Sequence, residues 1–539
     1  MATKRFTAHE FTRINLSEHN LGKQAKDFQP NVRQSHPKLH ILYIFRFYFT
    51  YALIYLAGYV REFVHWFLPA NSTYLPVDTE KNIRAGIQSV VDGHAGFYLR
   101  NVFLPVNACF HTPLTGSPSV KFEIRERKRN HIFEPLFELT GKTRKALNFG
   151  SYNYLGFAQN DGPCVEASKV TVEKYGIGMG SSRSEMGSLQ LHRDLEKLVA
   201  EFLGKEDAAT FGMGFITNAG NIPAILGKGC LLISDELNHA SIVLGAKLGT
   251  ANIRTFKHND MYDLEKKLKK AIIEGQPKTR RPWKKIIVIV EGIYSMEGTI
   301  SYIPSLIALK QKYKFYIWLD EAHSIGAMGP TGRGVVEYWG SDANEIDIMM
   351  GTFSKSFGAH GGYIASTKAV VSHIRRQTHT NYASAMTPGV AMQIYSSLRI
   401  IMGRDDRYPN DGQRRIRRLA ENTRYFRSEL YKRGLVVYGA DDSPIVPLII
   451  FTPNQLDIIS RTFMHIGIGI VTVGYPATPL LECRLRFCLS AAHTRDMLDY
   501  CLHTIDDVSE MFGLAFLKNR PIPPIPFPTP HEQFKNFIT

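Results

Sequence analysis

The sequence predicts an α/β chain: a central, mostly parallel sheet with helices on both faces, followed by a smaller α+β unit. Three observations carry this expectation. The runs "CLLIS" (230–234), "KIIVIV" (285–290) and "FYIWL" (315–319) are almost wholly apolar, as strands buried on both faces are. Between such runs lie segments with one apolar helical face. "RDLEKLVAEFLG" groups Leu195, Leu198, Val199, Phe202 and Leu203, then stops at Gly204. Each strand ends in an acid (Asp235, Glu291, Asp320), and parallel sheets bind ligands beyond those carboxyl ends.

Taken in order, residues 1–68 form an N-terminal region containing "ILYIFRFYFTYALIYLAGYV" (41–60), apolar and aromatic with Arg46 as its only charge. That length suits a membrane helix, either spanning or lying in the interface. It begins too far along for a cleaved signal peptide, and Glu10, Glu18 and Asp27 argue against a mitochondrial presequence. Lys23, Lys26, Arg33 and Lys38 precede it, so a spanning helix would carry the rest of the chain out of the cytosol. An interfacial helix would leave the rest of the chain in the cytosol.

Residues 69–145 connect to the main α/β region, 146–395. From 396 to 515, helices interleave with shorter strands ("PIVPLIIF", "GIGIVTV", "CRLRFCLS"), and 516–539 is a tail containing "PIPPIPFPTP".

At 539 residues, 44% hydrophobic and 21% charged, the chain is globular and long enough for two or three domains. A formal charge of +16 calls for an anionic partner. Basic clusters at 125–129, 278–285 and 413–419 come without zinc-finger, basic-zipper or RNA-binding motifs, so nucleic acid is not expected. Anionic lipid or a phosphorylated cosubstrate accounts for the charge. The six cysteines form no CxxC pair and no zinc pattern, which fits buried reduced thiols and no metal.

The chemistry centres on "GTFSKSFGAHGG" (351–362), where Lys355 stands among small and hydroxylated residues. An isolated lysine there is ordinarily a surface residue. Here its neighbours suggest an amine that forms a Schiff base beside a phosphate site. "YIWLDEAHSIGAMG" places Asp320 at a strand mouth, where a carboxylate can keep a pyridine nitrogen protonated, with His323 three positions on. "ISDELNHASIVLG" supplies His239 after another strand, suited to stacking on an aromatic ring. "FGMGFITNAGN" opens a helix with bare amides around Gly214 and Phe215, a phosphate-binding arrangement, and "EGIYSMEG" contributes Ser295. "YGIGMGSSR" is glycine-rich but lacks GxGxxG spacing, and no GxxxxGK[ST] loop occurs.

On these residues the chain resembles the α-oxoamine synthases, pyridoxal-phosphate enzymes of fold type I that condense an amino acid with an acyl-CoA. The likeness runs from about residue 40 to 515 through "FGSYNYLGFAQN", "FGMGF", "SDELNHAS", "VEGIYSMEG", "LDEAHSIGAMGPTGRGVVEY", "GTFSKSFGAHGGYI" and "RFCLSAAHT". "KTRRPWKK" and "VGYPATP" point to the eukaryotic, membrane-attached branch that joins L-serine to palmitoyl-CoA.

The resemblance implies pyridoxal 5'-phosphate on Lys355, with Asp320 at the pyridine nitrogen, His323 at the phenolic oxygen and His239 on the ring. Thr352, Ser295, Gly214 and Phe215 would help hold the cofactor. Arg486 would bind the substrate carboxylate, with Arg484 the less favoured choice, and "PATP" (476–479) would close over the site. It also implies the product 3-ketosphinganine and an endoplasmic reticulum location facing the cytosol. The implied partners are a subunit 1 lacking the lysine, small activating subunits and Orm-type regulators. "NYASAMTP" (381–388) is a candidate for reaching the partner's side. Two departures are Ser354, where a threonine is expected, and His360, where a small residue is expected.

The alternatives are another α-oxoamine synthase, either a glycine-using CoA ligase or a 5-aminolevulinate synthase, and a non-catalytic scaffold subunit. The apolar segment and the lack of a presequence count against the first. The presence of Lys355, Asp320 and His323 together counts against the second.

Overall fold

A computed structural model of the chain describes residues 41–67, 97–98, 101, 111–128, 137–377, 382–451, 455–474, 477–479 and 482–515. Residues 1–40, most of 68–110, the start of the "PATP" loop and the proline-rich tail from 516 lie outside them.

The central sheet has seven strands: β4 (Asp207–Phe211), β5 (Leu231–Asp235), β6 (Asn252–Phe256), β7 (Ile286–Glu291), β8 (Tyr316–Asp320), β9 (Ile348–Thr352) and β10 (Gly362–Ser366). Their order is β4-β10-β9-β8-β7-β5-β6, and β10 alone runs against the others. The sheet is therefore mixed, with the parallel majority that the sequence predicts.

The unbroken apolar runs have a direct cause. Successive side chains point to opposite faces, and both faces are covered. In β8, Ile317 and Leu319 enter one hydrophobic core while Trp318 enters the other. In β7, Val288 and Val290 separate in the same way from Ile287 and Ile289.

After β5 the chain steps outward to β6, then crosses back to place β7 on the other side of β5. This reversal opens a crevice at the carboxyl ends of the strands. Register sets Glu291 of β7 beside Asp320 of β8, and Asp320 beside Met350 of β9.

Two smaller sheets complete the described fold. Strands β1 (Leu114–Thr115), β2 (Lys121–Lys128), β3 (Glu138–Asn148) and β12 (Ile468–Gly469) form one, with β12 parallel to β3. The other is an antiparallel trio in which β14 (Cys483–Cys488) lies between β11 (Ile445–Ile450) and β13 (Val471–Val473).

The N-terminal apolar segment forms a helix, Ile41–Phe67, longer than the expected 41–60. It packs through Gly58, where an added Cβ would lie 2.9 Å from Asn101 and Phe97, and Asn101 donates to Glu62 at 2.7 Å. The transmembrane expectation needs correcting: no helix among the described residues is long and apolar enough to cross a membrane. Tyr43, Tyr48, Tyr51, Tyr55 and Tyr59, with Arg46 and Gly58, dilute a segment that reads as apolar when aromatic rings are counted as such.

Candidate active site

The loop after β9 carries Lys355 and is pinned beneath its tip. Ser356 is buried and donates to the Ile325 carbonyl at 2.7 Å. Gln393 donates to the carbonyls of Phe157 (3.1 Å) and Phe357 (3.3 Å). Lys355 is half-buried, its Nζ 5.8 Å from the centre of the Tyr152 ring. Burial pushes its pKa down to about 8, the carboxylates of Asp320 and Glu291 oppose that shift, and Arg486 adds to it. A surface lysine would experience none of this.

Asp320 ends β8 and is buried. Its Oδ2 accepts from Asn218 Nδ2 at 2.7 Å and its Oδ1 from the Ala322 N–H at 2.9 Å. Asn218 also donates to Ser241 Oγ at 3.1 Å. Ser241 Oγ lies 2.9 Å from Nδ1 of His239, which accepts the Ser241 N–H at 3.2 Å and caps the helix Ala240–Leu248. The His239 N–H donates to Glu291 Oε1 at 2.5 Å. Asp320, Asn218, Ser241, His239 and Glu291 are thus one connected network on three strand ends.

His323 is buried, with Nδ1 2.8 Å from the Tyr154 hydroxyl and its ring edge-on to Tyr152 at 4.7 Å. Burial holds it well below the usual histidine range, aided by the charges of Lys355 and Arg486. His239 is also lowered, chiefly by burial; Asp320 pulls it up and Lys355 pushes it down. Burial and the nearby Asp320 charge raise Glu291 well above an ordinary carboxyl.

Gly214 opens the helix Gly214–Ile225, and an added Cβ there would stand 2.5 Å from Thr352 Oγ1. Only glycine lets the helix start approach the lysine loop this closely. The Thr352 hydroxyl donates to the Gly361 carbonyl at 2.9 Å and lies 2.7 Å from Ser354 Oγ, so it braces the loop as well as bordering the rim. Phe215 is exposed beside His239, with ring centres 6.0 Å apart. His360 meets the Gly212 carbonyl through Nδ1 at 3.0 Å, tying the lysine loop to that same helix start.

The two arginines of β14 differ. Arg484 is 1% exposed, donates to the Met296 carbonyl at 2.9 Å and pairs with Glu297 (3.5 Å) and Glu482 (3.4 Å). Arg486 lies over Tyr152, its Cζ 4.7 Å from the ring centre, and donates to the Ser295 carbonyl at 3.4 Å; its buried Nε has no partner. Ser295 is buried and meets the site through that carbonyl.

The structure therefore brings Lys355, Asp320, His323, His239, Thr352, Gly214, Phe215, Ser295 and Arg486 to one rim. Sequence reasoning missed Tyr152, whose ring lies against Lys355, His323 and Arg486, and also Tyr154, Asn218 and Ser241. The "FGSYNYLGF" and "FGMGFITNAGN" stretches contain Tyr152, Tyr154 and Asn218, but nothing in their spacing shows what they touch.

This rim fits pyridoxal phosphate: a lysine with weakened proton affinity, a buried carboxylate whose charge it senses, and a helix whose first residue is glycine. Asn218 Oδ1 and Arg486 Nε are buried without partners. Such orphaned atoms point to a polar guest.

The family model for class I and II aminotransferases matches residues 144–505. The chain is 46% identical to human serine palmitoyltransferase 3 over 476 residues, covering 88% of this chain and 85% of that one. It is 43% identical to serine palmitoyltransferase 2 of Dictyostelium discoideum, covering 88% and 95%. Among solved structures, it is similar to the Sphingomonas wittichii serine palmitoyltransferase (28% identity, TM-score 0.67, 77% of this chain and 96% of that). Another solved serine palmitoyltransferase, with pyridoxal phosphate as its internal aldimine, matches at 27% identity and TM-score 0.66, covering 81% and 97%. With its lysine-bearing rim on the class I and II aminotransferase fold, this chain belongs to the serine palmitoyltransferase family.

Proposed function

We propose that the chain is the catalytic subunit of a serine palmitoyltransferase, condensing L-serine with palmitoyl-CoA to 3-ketosphinganine with release of CoA and carbon dioxide. The observation that supports it most is the Lys355 amine, which burial depresses to about 8 even though the Asp320 and Glu291 charges oppose the shift. Bound pyridoxal phosphate would supply an electron sink for negative charge at the serine α-carbon.

The chain's own residues do the rest. Lys355 would hold the cofactor and take the α-proton, a general-base role that its weakened proton affinity suits. Asp320, fixed by Asn218 and Ala322, would keep a proton on the ring nitrogen. His323, oriented by the Tyr154 hydroxyl, would meet the phenolic oxygen, and His239 would lie against the ring. Gly214, Phe215, Thr352 and Ser295 line the cofactor's seat. Arg486, steadied on the Tyr152 ring, receives the serine carboxylate.

The finer parts of the reading concern assembly. The chain pairs with a subunit 1 that lacks the lysine, with small activating subunits and Orm-type regulators as further partners. The exposed Tyr382 of "NYASAMTP" suits a contact with that subunit. The helix Ile41–Phe67, with Phe45, Phe49, Leu53, Leu56 and Phe63 exposed, attaches the enzyme in the interface of the endoplasmic reticulum membrane, leaving the site in the cytosol where CoA thioesters are made.

Purified with its partner subunit and pyridoxal phosphate, the wild type should form 3-ketosphinganine from L-serine and palmitoyl-CoA, and Lys355→Ala should do so at least about 10²-fold more slowly. Turnover with glycine but not serine would favour the other α-oxoamine synthases. No turnover with any amino acid would favour the scaffold reading.

A further inference from the structure

A second hydrogen-bonded cluster lies one strand away from the catalytic rim. Asp235 ends β5 as Asp320 ends β8, and its side chain is fully buried. Its carboxylate accepts from the Leu237 N–H (3.0 Å), the Asn259 N–H (3.0 Å) and Nδ1 of His258 (3.0 Å). A carboxylate can only accept, so Nδ1 carries the proton. In the neutral ring Nε2 then accepts from the Thr299 hydroxyl, 2.8 Å away.

This Asp–His–Thr line resembles a nucleophilic relay, but Thr299 is 1% exposed and out of reach of any substrate. What the cluster grips is a hairpin. Ile293 and Ile300 bridge across it, the Tyr294 N–H donates to Thr299, and Gly298 turns the tip at φ +67°. His258 holds Thr299, Asn259 Nδ2 holds the Ile300 carbonyl at 3.1 Å, and the Tyr294 ring packs edge-on against His258 at 4.4 Å. The tip of the hairpin, Ser295–Met296–Glu297, is what both arginines of β14 hold on to. At Gly298 a Cβ would lie 2.7 Å from the Ile445 carbonyl, so the turn also sits directly on β11.

We propose that His258, clamped between Asp235 and Thr299, is a positioning residue for the amino-acid subsite. It sets the height of the Ser295–Glu297 tip and so the aim of Arg486 toward the substrate carboxylate. The inference rests on the role for Arg486 argued above. It predicts a selective effect: loosening the hairpin misaims the carboxylate receptor while leaving Lys355, Asp320 and the acyl-CoA side in place.

The test uses the cofactor-loaded complex. L-serine affinity is read by titrating the cofactor's visible spectrum, which requires no turnover, and steady-state constants are measured alongside. In His258→Ala, serine binding should weaken and its KM rise by about tenfold, with kcat and the palmitoyl-CoA KM within about twofold of wild type. Thr299→Val, close in shape but without the hydroxyl, should shift the same parameter less. His258→Gln, whose amide still reaches Thr299, should recover most of the loss.

Unchanged serine affinity in both His258→Ala and Thr299→Val would overturn the proposal. So would a joint fall in every constant, or a loss that glutamine does not rescue. Should His258→Ala fail to fold, wild-type serine affinity in Thr299→Val is sufficient to overturn it. A wild type that binds serine but makes no product would instead overturn the functional reading, and the titrations would still judge the clamp.

Discussion

Asp235 and Asp320 end strands of the same sheet, separated by β7, and both are buried. Their surroundings differ. Asp235 is closed in by its own neighbours: two backbone N–H groups and a histidine whose far side is taken by Thr299. Asp320 is held by Asn218 and Ala322, while Lys355 and His239 both sense its charge. A carboxylate saturated by local donors is structural; one held from behind and facing titratable groups is available for chemistry. The arginines of β14 repeat the contrast, Arg484 with two acidic partners and Arg486 with an orphaned Nε.

The largest effect is expected at the lysine itself. Lys355→Ala should lower turnover by about 10²–10⁴-fold through loss of the general base alone, measured as kcat in the cofactor-loaded complex. Next, Asp320→Asn should cut kcat by about 10²-fold with little change in melting temperature. Asp235→Asn should do the reverse, keeping kcat at saturating serine and losing about 1–3 kcal/mol of stability, read by denaturant unfolding.

The arginine pair sharpens the same point. Arg484→Met should destabilise the protein by about 3 kcal/mol, since it removes the buried cation that pairs with Glu297. Arg486→Lys should instead raise the serine KM. At the helix start, Gly214→Ala, pressing on Thr352, should cost about 1–3 kcal/mol and weaken cofactor retention.

The titration of Lys355 gives a pH test. Burial lowers its pKa to about 8, so the uncharged amine that attacks an aldehyde predominates above that pH. Pyridoxal-phosphate capture by the cofactor-free protein should therefore slow about tenfold per pH unit below about 8 and level off above it. A rate that goes on rising past pH 10 would mean that the lysine is not desolvated.

The sheet was legible because burial on both faces writes itself as continuous apolar runs, and its strand-end acids mark the rim. Lys355, Asp320, His323, His239 and Arg486 were legible through the order and text of their motifs. The supporting residues were not. Asn218 reaches Asp320 across 102 positions and Tyr154 reaches His323 across 169, and such contacts are created by folding alone. The N-terminal helix was legible as a helix, but its tyrosines left it short of the apolarity a membrane crossing needs.

Lys355, in the loop after β9, is the amine expected to hold the cofactor. Borohydride reduction of the loaded protein fixes pyridoxal phosphate to whichever amine holds it, and peptide mapping then locates the adduct. The account predicts a pyridoxyl group on Lys355, within the stretch 351–362, and none in Lys355→Ala. A label on another lysine, or no label in a wild type supplied with cofactor, would contradict it.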